Sequence, residues 1–469
     1  MSKDLEKIKF VYFLGIGGIG MSALARWFHA NNRKVAGYDK TSTTLTKQLE
    51  AEGIQIHYED NIALIEDCYK KNSEEVLIVF TPAIPKTHRE LVFFQENKFN
   101  IKKRAEVLGI ITKGMNSIAI GGTHGKTTTS SMTAHILKDS GVDCAAFLGG
   151  ITQNYETNLL LNSKLDKNTW AVVEADEFDR SFLQLFPTIA VITSTDADHL
   201  DIYGDADDVK KSYSAFAQQV LPNGTLFLNE KVSLYNLDKI ENGVSIKSYG
   251  YQNQDLDFQA KNIRIENAQF VFDFVSKKHY IADIQLLTSG FHNVENATVA
   301  TAIALEIGID AEKIKRALAS FRGVKRRFEY IVRDENFVFI DDYAHHPTEL
   351  AAFIQGVKAL YPKQKFTIIF QPHLFSRTKD FYQDFAKSLS LADSVILLPI
   401  YPARELPIEN VSSKMIFDLV TCEEKYLIEK ENLVSFLTDY QTDVLATTGA
   451  GDIDQFIKPI ADLVTQKTL

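Results

Sequence analysis

The chain has 469 residues, of which 45% are hydrophobic and 24% charged, and its formal net charge is −10 from 51 Lys and Arg against 61 Asp and Glu. These values are ordinary for a globular protein of about three domains, and they exclude collagen-like, low-complexity and wholly disordered chains. The charges leave no large basic excess, so no nucleic-acid partner is expected.

The amino terminus is charged, and no apolar run reaches the roughly 18 residues that a membrane span requires. The cysteines Cys68, Cys144 and Cys422 stand far apart and in no CxxC pattern. This favours a reducing compartment over a disulfide framework or a thiolate zinc site. We therefore expect a cytoplasmic protein with no membrane partner.

The first hundred residues alternate short apolar runs with helical patterns. Strands are predicted at 10–14, 34–38 and 76–80, and a helix over 21–30. This alternation predicts a parallel sheet that helices cover on both faces. The segment from Thr81 to Pro85, which includes Ala83, follows the third strand, so it either lines a crevice at the carboxyl edge of the sheet or forms a proline-stiffened loop.

A glycine-rich turn joins the first predicted strand to the first helix. It fits the pattern GxGxxG with Gly15, Gly17, Gly18 and Gly20. Such glycines let backbone N–H groups approach a diphosphate at the helix N-terminus. Asp39 ends the next strand about 20 residues on, where an acid can bind a ribose hydroxyl. NAD, FAD and a nucleotide sugar all fit this pattern, and the alternative is a turn without a ligand.

The pattern restarts after residue 109 with a strand at 117–120 that leads into a second glycine loop and a helix. This loop is one residue shorter than the usual GxxxxGK[ST], because position 120 is Ile. Its backbone can still cradle phosphates, while Lys126 reaches the β- and γ-phosphates and the Thr127 hydroxyl binds Mg²⁺. The loop predicts an ATP site formed by Gly122, Thr123, His124, Gly125, Lys126, Thr127 and Thr128.

Acidic segments follow the next two predicted strands, at 171–173 and 189–193. Each places acids at the carboxyl end of a parallel strand, where open α/β sheets bind ligands. Mg²⁺ prefers oxygen ligands, although a histidine can join them. From the two segments we select Glu174 and His199 as metal ligands; the alternative is that these groups are solvated loop charges.

Further strands are predicted at 225–228, antiparallel strands over 243–287, and a helix that begins near His292. A third restart near Val324 predicts parallel strands at 337–340, 366–370, 394–398 and 444–447. The chain is thus predicted to be α/β with three domains, at 1–109, 110–323 and 324–469. Two nucleotide loops in one chain argue against a simple dehydrogenase, which needs only one.

The motifs in all three regions resemble those of the Mur ligases of peptidoglycan precursor synthesis. The first glycine loop is similar to that of the alanine-adding member of this family, and the short phosphate loop to the form that the whole family shares. Other matching segments are 174–177, 198–199, 292–296, 326–328, 341–348, 371–378 and 449–452.

The resemblance implies a Rossmann-like first domain that binds a UDP-sugar, a central P-loop ATPase domain, and a Rossmann-like third domain that binds an amino acid. It implies that ATP, with one or two Mg²⁺ ions, drives the joining of L-alanine to the lactyl carboxylate of UDP-N-acetylmuramate. The first glycine loop, Asp39, Thr81 and Ala83 would then bind the UDP-sugar. The protein would be a monomer or a homodimer.

The resemblance also implies roles in the second half of the chain. His292, Asn293 and Asn296 would lie on the adenine side of ATP. Arg327 would reach the phosphates and Asp342 the ribose. The amino-acid site would be shaped by Tyr343, His346 and Arg377.

Three positions stay open in this comparison. Many relatives carry an arginine where this chain has Leu374, so the grip on the amino-acid carboxylate is not assigned. Several Mur ligases use a carbamylated lysine, and Lys210 and Lys211 lie in a suitable stretch, although each is more often a surface lysine. His346 is a candidate base or orienter for the attacking amine, and the alternative is a histidine that caps a helix.

Acyl phosphates hydrolyse, so water must be kept out, and we expect the third domain to close over the second with hinges near 109 and 324. The alternatives are a Mur-type ligase for another amino acid or a tripeptide, an NAD-dependent oxidoreductase, and a non-catalytic nucleotide-binding protein.

Overall fold

The computed structural model describes residues 5–113, 115–161, 168–196, 205–240, 243–288, 290–334, 336–403 and 405–468. Contacts between Cα atoms divide the chain into two compact units. The first contains Met1–Lys261, Asp273–Ala282 and Glu295–Leu318, and the second Asn262–Phe272, Asp283–Val294 and Ala319–Leu469. This division into two units does not separate the three predicted domains, so their boundaries stay a prediction.

The first unit begins with a five-stranded parallel sheet in the order β3-β2-β1-β4-β5. Its strands are β1 (Phe10–Leu14), β2 (Lys34–Tyr38), β3 (Gln55–His57), β4 (Val76–Phe80) and β5 (Asn100–Lys103). The helices of this region are α1 (Ile19–Ala30), α2 (Thr44–Ala51), α3 (Asp67–Lys70), α4 (Arg89–Glu96) and α5 (Arg104–Thr112). The three predicted strands are confirmed with their bounds. The edge strands β3 and β5 were not predicted, because they are short and mostly polar.

A ten-stranded sheet follows, in the order β15-β14-β13-β12-β11-β10-β6-β9-β7-β8. Its strands are β6 (Asn116–Gly121), β7 (Cys144–Phe147), β8 (Leu159–Leu160), β9 (Trp170–Glu174), β10 (Ile189–Ile192), β11 (Thr225–Asn229), β12 (Ser245–Gly250), β13 (Phe258–Glu266), β14 (Gln269–Ser276) and β15 (Tyr280–Leu286). The helices along this part of the chain are α6 (Lys126–Asp139), α7 (Ala206–Ala217), α8 (Phe291–Ile307) and α9 (Ala311–Ser320). Because β6 pairs with both β9 and β10, the loop after β6 lies between the carboxyl ends of its two neighbours.

One prediction for this sheet was wrong in part. The stretch 243–287 does form strands, but the first of them, β12, pairs in parallel with β11 and with β13. The later strands follow one another too closely for a crossover, since only two residues separate β13 from β14. Alternating apolar residues are therefore a sign of strands, but they do not give strand direction.

The second unit carries a six-stranded sheet in the order β16-β17-β21-β18-β19-β20. Its strands are β16 (Glu329–Arg333), β17 (Val338–Asp342), β18 (Phe366–Phe370), β19 (Ser394–Leu397), β20 (Glu424–Leu427) and β21 (Val444–Thr448). Its helices are α10 (Pro347–Leu360), α11 (Phe375–Leu389), α12 (Lys414–Leu419), α13 (Leu433–Asp439) and α14 (Ile457–Thr468). The four predicted parallel strands are confirmed, and the antiparallel edge strand β16 was missed.

Burial follows the strands. The central strands of all three sheets are buried along their length, which is the pattern of parallel sheets covered on both faces. In the part of the chain that the structure describes, no helix combines the length and the apolar character needed to cross a membrane.

Candidate active site

The phosphate loop connects β6 to α6, and its backbone needs glycine at two places. Gly122 has a φ of 135° and Gly125 a φ of 82°, both in the range that side chains disfavour. Gly125 is also the N-cap residue of α6, and a Cβ there would lie 2.8 Å from Asn296 Oδ1. The loop therefore leaves backbone N–H groups at the start of a fourteen-residue helix, an arrangement that binds phosphate.

Neighbouring side chains hold this loop in place. Ser194, which follows β10, accepts a hydrogen bond from the His124 N–H at 2.8 Å and shares one with the Thr123 hydroxyl at 2.8 Å. Asn296 Oδ1 accepts from the Thr129 hydroxyl at 3.0 Å. Asn296, expected on the adenine side, thus braces the loop. Sequence reasoning missed Ser194, because a serine in a loop carries no pattern of its own.

Lys126 is the first residue of α6 and is held by the loop and by an acid. Its Nζ donates to the Gly122 carbonyl at 2.6 Å and lies 2.8 Å from Glu177 Oε2. Burial lowers the pKa of Lys126, but the carboxylates of Glu177, Glu174 and Asp176 outweigh burial, so the net shift is upward. The amine is therefore a cation, which is the form that binds phosphate.

Thr127 and Glu174, both predicted metal ligands, meet at the side of the loop. The Thr127 hydroxyl donates to Glu174 Oε1 at 3.1 Å, and Glu174 is the last residue of β9. A hydroxyl and a carboxylate side by side are oxygen donors of the type that Mg²⁺ takes, so the pair fits this ion. His199 lies outside the described residues. Among the residues that are described, no group of three His, Cys, Asp or Glu is placed to hold a metal ion.

Three further residues considered from the sequence lie on α6 and α7. Thr128 is half-buried in the first turn of α6. On α7, Lys210 Nζ lies 3.2 Å from Ser233 Oγ, and Lys211 Nζ lies 2.7 Å from Asp207. Their amines thus contact surface groups of their own region, as surface lysines do.

The first glycine loop has the strained turn that its sequence predicts. Gly15 has a φ of 86°, and a Cβ there would lie 2.7 Å from Thr81 Cγ2. The Gly17 N–H donates to Asp39 Oδ2 at 2.7 Å. Asp39, expected at a ribose, therefore contacts the loop itself. Ala83 is exposed in the loop after β4.

One cavity of about 240 Å³ extends from this glycine loop to the end of β9. It is lined by Gly18 and Gly20 at one end, by Thr81 and Arg104, and by Glu174 with Asp176 at the other. Glu174 is the carboxylate that accepts from Thr127 of the phosphate loop. The cavity therefore ends at a carboxylate that contacts the phosphate loop.

A second group of predicted residues lies at the carboxyl end of β17, in the second unit. The Asp342 carboxylate accepts from the N–H groups of Phe328 and Ala344, each at 2.7 Å. Burial raises the pKa of Asp342 to about 6, although Arg327 and these N–H groups oppose the shift. The Arg327 guanidinium lies 5.3 Å from the centre of the Tyr343 ring. Arg327, Asp342 and Tyr343 thus form one cluster.

Two histidines within the matching segments 341–348 and 371–378 lie beside this cluster, and neither was selected as a site residue from the sequence. His345 and His373 have ring centres 6.2 Å apart. Burial, together with the nearby His345 and Arg377, lowers the pKa of His373 to about 4, although Glu405 opposes the shift. Burial also lowers the pKa of His345, although Glu349 opposes the shift. Two neutral imidazoles therefore lie near the cation of Arg377, and the predicted amino-acid site at Arg377 stays a prediction.

His346 caps a helix in the structure. It is the N-cap residue of α10, its Nδ1 accepts from the Thr348 N–H at 3.4 Å, and Glu349 completes the capping box.

His292 is exposed and Asn293 buried in the first turn of α8. Their predicted role at the adenine stays a prediction.

Comparison with known proteins accounts for nearly the whole chain. Residues 10–115 match the family model described as the Mur ligase family catalytic domain, 120–304 the Mur ligase middle domain, and 326–451 the Mur ligase glutamate ligase domain. The chain belongs to the Mur ligase family.

Mur ligases of several bacteria are similar over their full length. A UDP-N-acetylmuramate–L-alanine ligase of Flavobacterium psychrophilum is 50% identical, with 99% of this chain and all of the relative covered. One of Cytophaga hutchinsonii is 48% identical, with 99% of this chain and 98% of the relative covered. The solved UDP-N-acetylmuramate–alanine ligase of Thermotoga maritima superimposes with a TM-score of 0.81 at 27% identity, covering 97% of this chain and 99% of that one.

The Mur ligase fold confirms the predicted class, an α/β chain whose three regions each match a family domain. Leu374, the position at which the grip on the amino-acid carboxylate was left unassigned, is the N-cap residue of α11 and has a φ of 71°. Arg377 on the first turn of the same helix is the nearest arginine along the chain within the described residues.

Proposed function

We propose that this protein joins L-alanine to the lactyl carboxylate of UDP-N-acetylmuramate at the expense of ATP, and so makes UDP-N-acetylmuramoyl-L-alanine, ADP and phosphate. The observation that carries the proposal is the cavity from Gly18 to Glu174. It allows a nucleotide sugar at the first glycine loop to present its acid group beside the phosphate loop.

The reaction needs two nucleotide sites because a carboxylate does not react with an amine at neutral pH. The lactyl carboxylate first attacks the γ-phosphorus of ATP, which breaks the bond to ADP and forms an acyl phosphate. The amine of L-alanine then attacks the acyl carbon, and phosphate leaves as the amide bond forms and the amine loses a proton. Positioning and charge stabilisation account for most of the catalysis in phosphoryl transfer.

The residues of this chain divide these tasks. The backbone of the phosphate loop and the Lys126 cation bind the β- and γ-phosphates, and Arg327 is proposed to neutralise the same charge. Thr127 and Glu174 would hold Mg²⁺, which when bound shields the negative charge that gathers between carboxylate and phosphate. Arg377 is proposed to bind the carboxylate of L-alanine, with Tyr343 beside it.

The finer features of the proposal rest on the same resemblance. One or two Mg²⁺ ions, a cytoplasmic location and a monomeric or homodimeric state are part of it. So are the roles of His292 and Asn293 at the adenine and of Asp39 and Asp342 at the two riboses.

The test is a phosphate-release assay with purified protein, ATP, Mg²⁺ and UDP-N-acetylmuramate across a panel of amino acids. We expect release that depends on both the sugar nucleotide and L-alanine. Release only with a tripeptide or another amino acid would assign a different ligase of the family. Fluorescence titration with NADH should show no binding, whereas saturable binding would favour an oxidoreductase.

A further inference from the structure

The cavity that extends from the first glycine loop to Glu174 carries one strong cation, which the family motifs given above do not include. Arg104 is the first residue of α5, and it is the sole cationic residue among the described residues that line the cavity. Its side chain is 21% exposed, so most of it is shielded from water.

The position of the Arg104 guanidinium is fixed from two sides. A Cβ at Gly20 would lie 2.8 Å from Arg104 Nη1, so the guanidinium rests directly on the first glycine loop. Nη2 lies 3.0 Å from Asp176 Oδ2, two residues beyond Glu174. The side chain therefore spans the distance between the glycine loop and the acidic end of β9.

Charge at this end of the cavity creates a problem for an acidic substrate. Glu174 and Asp176 are carboxylates, and a γ-phosphate beside Thr127 would add further negative charge. A substrate carboxylate entering from the glycine loop would be repelled unless a cation met it. Arginine suits this task because its planar fork binds a carboxylate through two parallel hydrogen bonds.

From this geometry we infer that Arg104 binds the lactyl carboxylate of the sugar nucleotide and exchanges Asp176 for it when the substrate enters. The inference rests on the proposed function and adds a substrate-binding residue to it. Asp176 is the internal partner that keeps the guanidinium extended towards β9 before the substrate arrives. The substrate acid takes over one carboxylate position on the guanidinium and is thereby directed towards the phosphate loop.

The experiment compares two nucleotides that share the UDP part. UDP-N-acetylmuramate carries the lactyl acid, and UDP-N-acetylglucosamine has a hydroxyl in its place. Binding of both is measured by calorimetry for the unmodified protein and for Arg104→Met. We expect Arg104→Met to weaken the binding of UDP-N-acetylmuramate by about tenfold to a hundredfold, the usual effect of losing a hydrogen-bonded charge. The affinity for UDP-N-acetylglucosamine should change by less than about threefold, because this nucleotide lacks the group that Arg104 binds.

Two further variants keep the test sharp. Asp176→Asn removes the internal competitor, so it should bind UDP-N-acetylmuramate as tightly as the unmodified protein or more tightly, the opposite direction to Arg104→Met. Arg104→Lys keeps the charge without the fork and should recover part of the lost affinity. Arg89→Met is the matched control, since Arg89 is the first residue of α4 and is exposed.

Equal weakening of both nucleotides would assign Arg104 to the diphosphate and overturn the inference, as would no weakening of either in a folded Arg104→Met protein. If the unmodified protein released no alanine-dependent phosphate, the proposed function itself would fail. The two kinds of failure can be told apart, because failure of the proposed function is seen with the unmodified protein before any variant is made.

Discussion

Lys126 Nζ lies 2.8 Å from Glu177 Oε2, and both side chains are largely buried, with 13% and 3% of their surface exposed. The lysine that would bind ATP phosphates is therefore already paired with a carboxylate three residues beyond Glu174. A phosphate entering the loop must compete with Glu177 for the same amine. Two predictions follow from this pair, one for each partner.

Lys126→Ala should lower turnover by at least about a hundredfold, because a preorganised cation at the transferring phosphate is lost. Binding of UDP-N-acetylmuramate should stay within about threefold, since the first glycine loop is built from other residues. Phosphate release measures the first effect and calorimetry the second. If a folded variant lost both together, the separation of the two nucleotide sites would be wrong.

Glu177→Gln should destabilise the nucleotide-free protein by roughly 1–3 kcal/mol. The effect is smaller than that of an unpaired buried charge, because the Gln carbonyl still accepts from Lys126. Bound ADP should raise the melting temperature of this variant more than that of the unmodified protein, since phosphate then supplies the missing charge. Exposed Glu156 provides the control Glu156→Gln. Equal shifts with ADP in variant and parent would exclude the competition.

The sequence is sufficient to predict the residues of the two glycine loops, but not the distant residues that contact them. Lys126, Thr127 and Glu174 were assigned because glycine spacing and the ends of parallel strands leave a local signal. The pairs Lys126–Glu177 and Arg104–Asp176 join residues 51 and 72 positions apart, and no spacing rule reaches across such distances. His373 was not selected as a site residue, since its burial and its neutral state depend on packing. The direction of β12 was wrong for the same reason.

A second long-range support connects α1 to the residue that precedes β8 of the ten-stranded sheet. Asn158 is fully buried, its Nδ2 donates to the Ile19 carbonyl at 2.6 Å and to Ser22 Oγ at 2.9 Å, and its Oδ1 accepts from Arg26. It thereby holds the first turn of α1, next to the glycine loop.

Asn158→Ala should cost roughly 2–4 kcal/mol of unfolding free energy, because it leaves buried partners unsatisfied. It should also raise the KM for UDP-N-acetylmuramate while the KM for ATP changes little. Urea denaturation and steady-state kinetics measure these effects. Asn31→Ala, at the other end of α1, is the control and should affect neither KM. A variant with equal changes in both KM values would show a general loss of structure instead.

A buried carboxyl in the first sheet should make stability depend on pH. Glu90 accepts from the Tyr12 hydroxyl at 2.8 Å and from the Asn61 N–H at 3.2 Å, and His57 Nε2 lies 3.4 Å from it. Burial raises the pKa of Glu90 from 4.5 to about 7, although the bonds from Tyr12 and Asn61 oppose the shift and the nearby Asp60 adds to it.

Because this pKa is higher in the folded state, the stabilising contribution of Glu90 is complete below pH 4.5 and is lost as pH rises through about 7. The loss is at most about 3 kcal/mol at 1.36 kcal/mol per pKa unit. The free energy of unfolding, measured with urea between pH 5 and 8, should therefore fall less steeply with rising pH for Glu90→Gln than for the parent. Glu96→Gln, exposed on the same helix, should follow the parent. Parallel curves for Glu90→Gln and the parent would refute the shift.

Substitutions at His346 can distinguish the two roles that the sequence left open, a base for the attacking amine and a helix cap. Its Nδ1 accepts from the Thr348 N–H, so the ring proton is on Nε2, and that nitrogen is a donor rather than a base. His346→Asn replaces one good N-cap with another and removes the imidazole, whereas His346→Ala removes both. We expect Asn to keep stability within about 0.5 kcal/mol and kcat within about threefold, while Ala loses about 1 kcal/mol. A drop in kcat of a hundredfold in a stable His346→Asn protein would instead make this histidine the base that deprotonates the attacking amine.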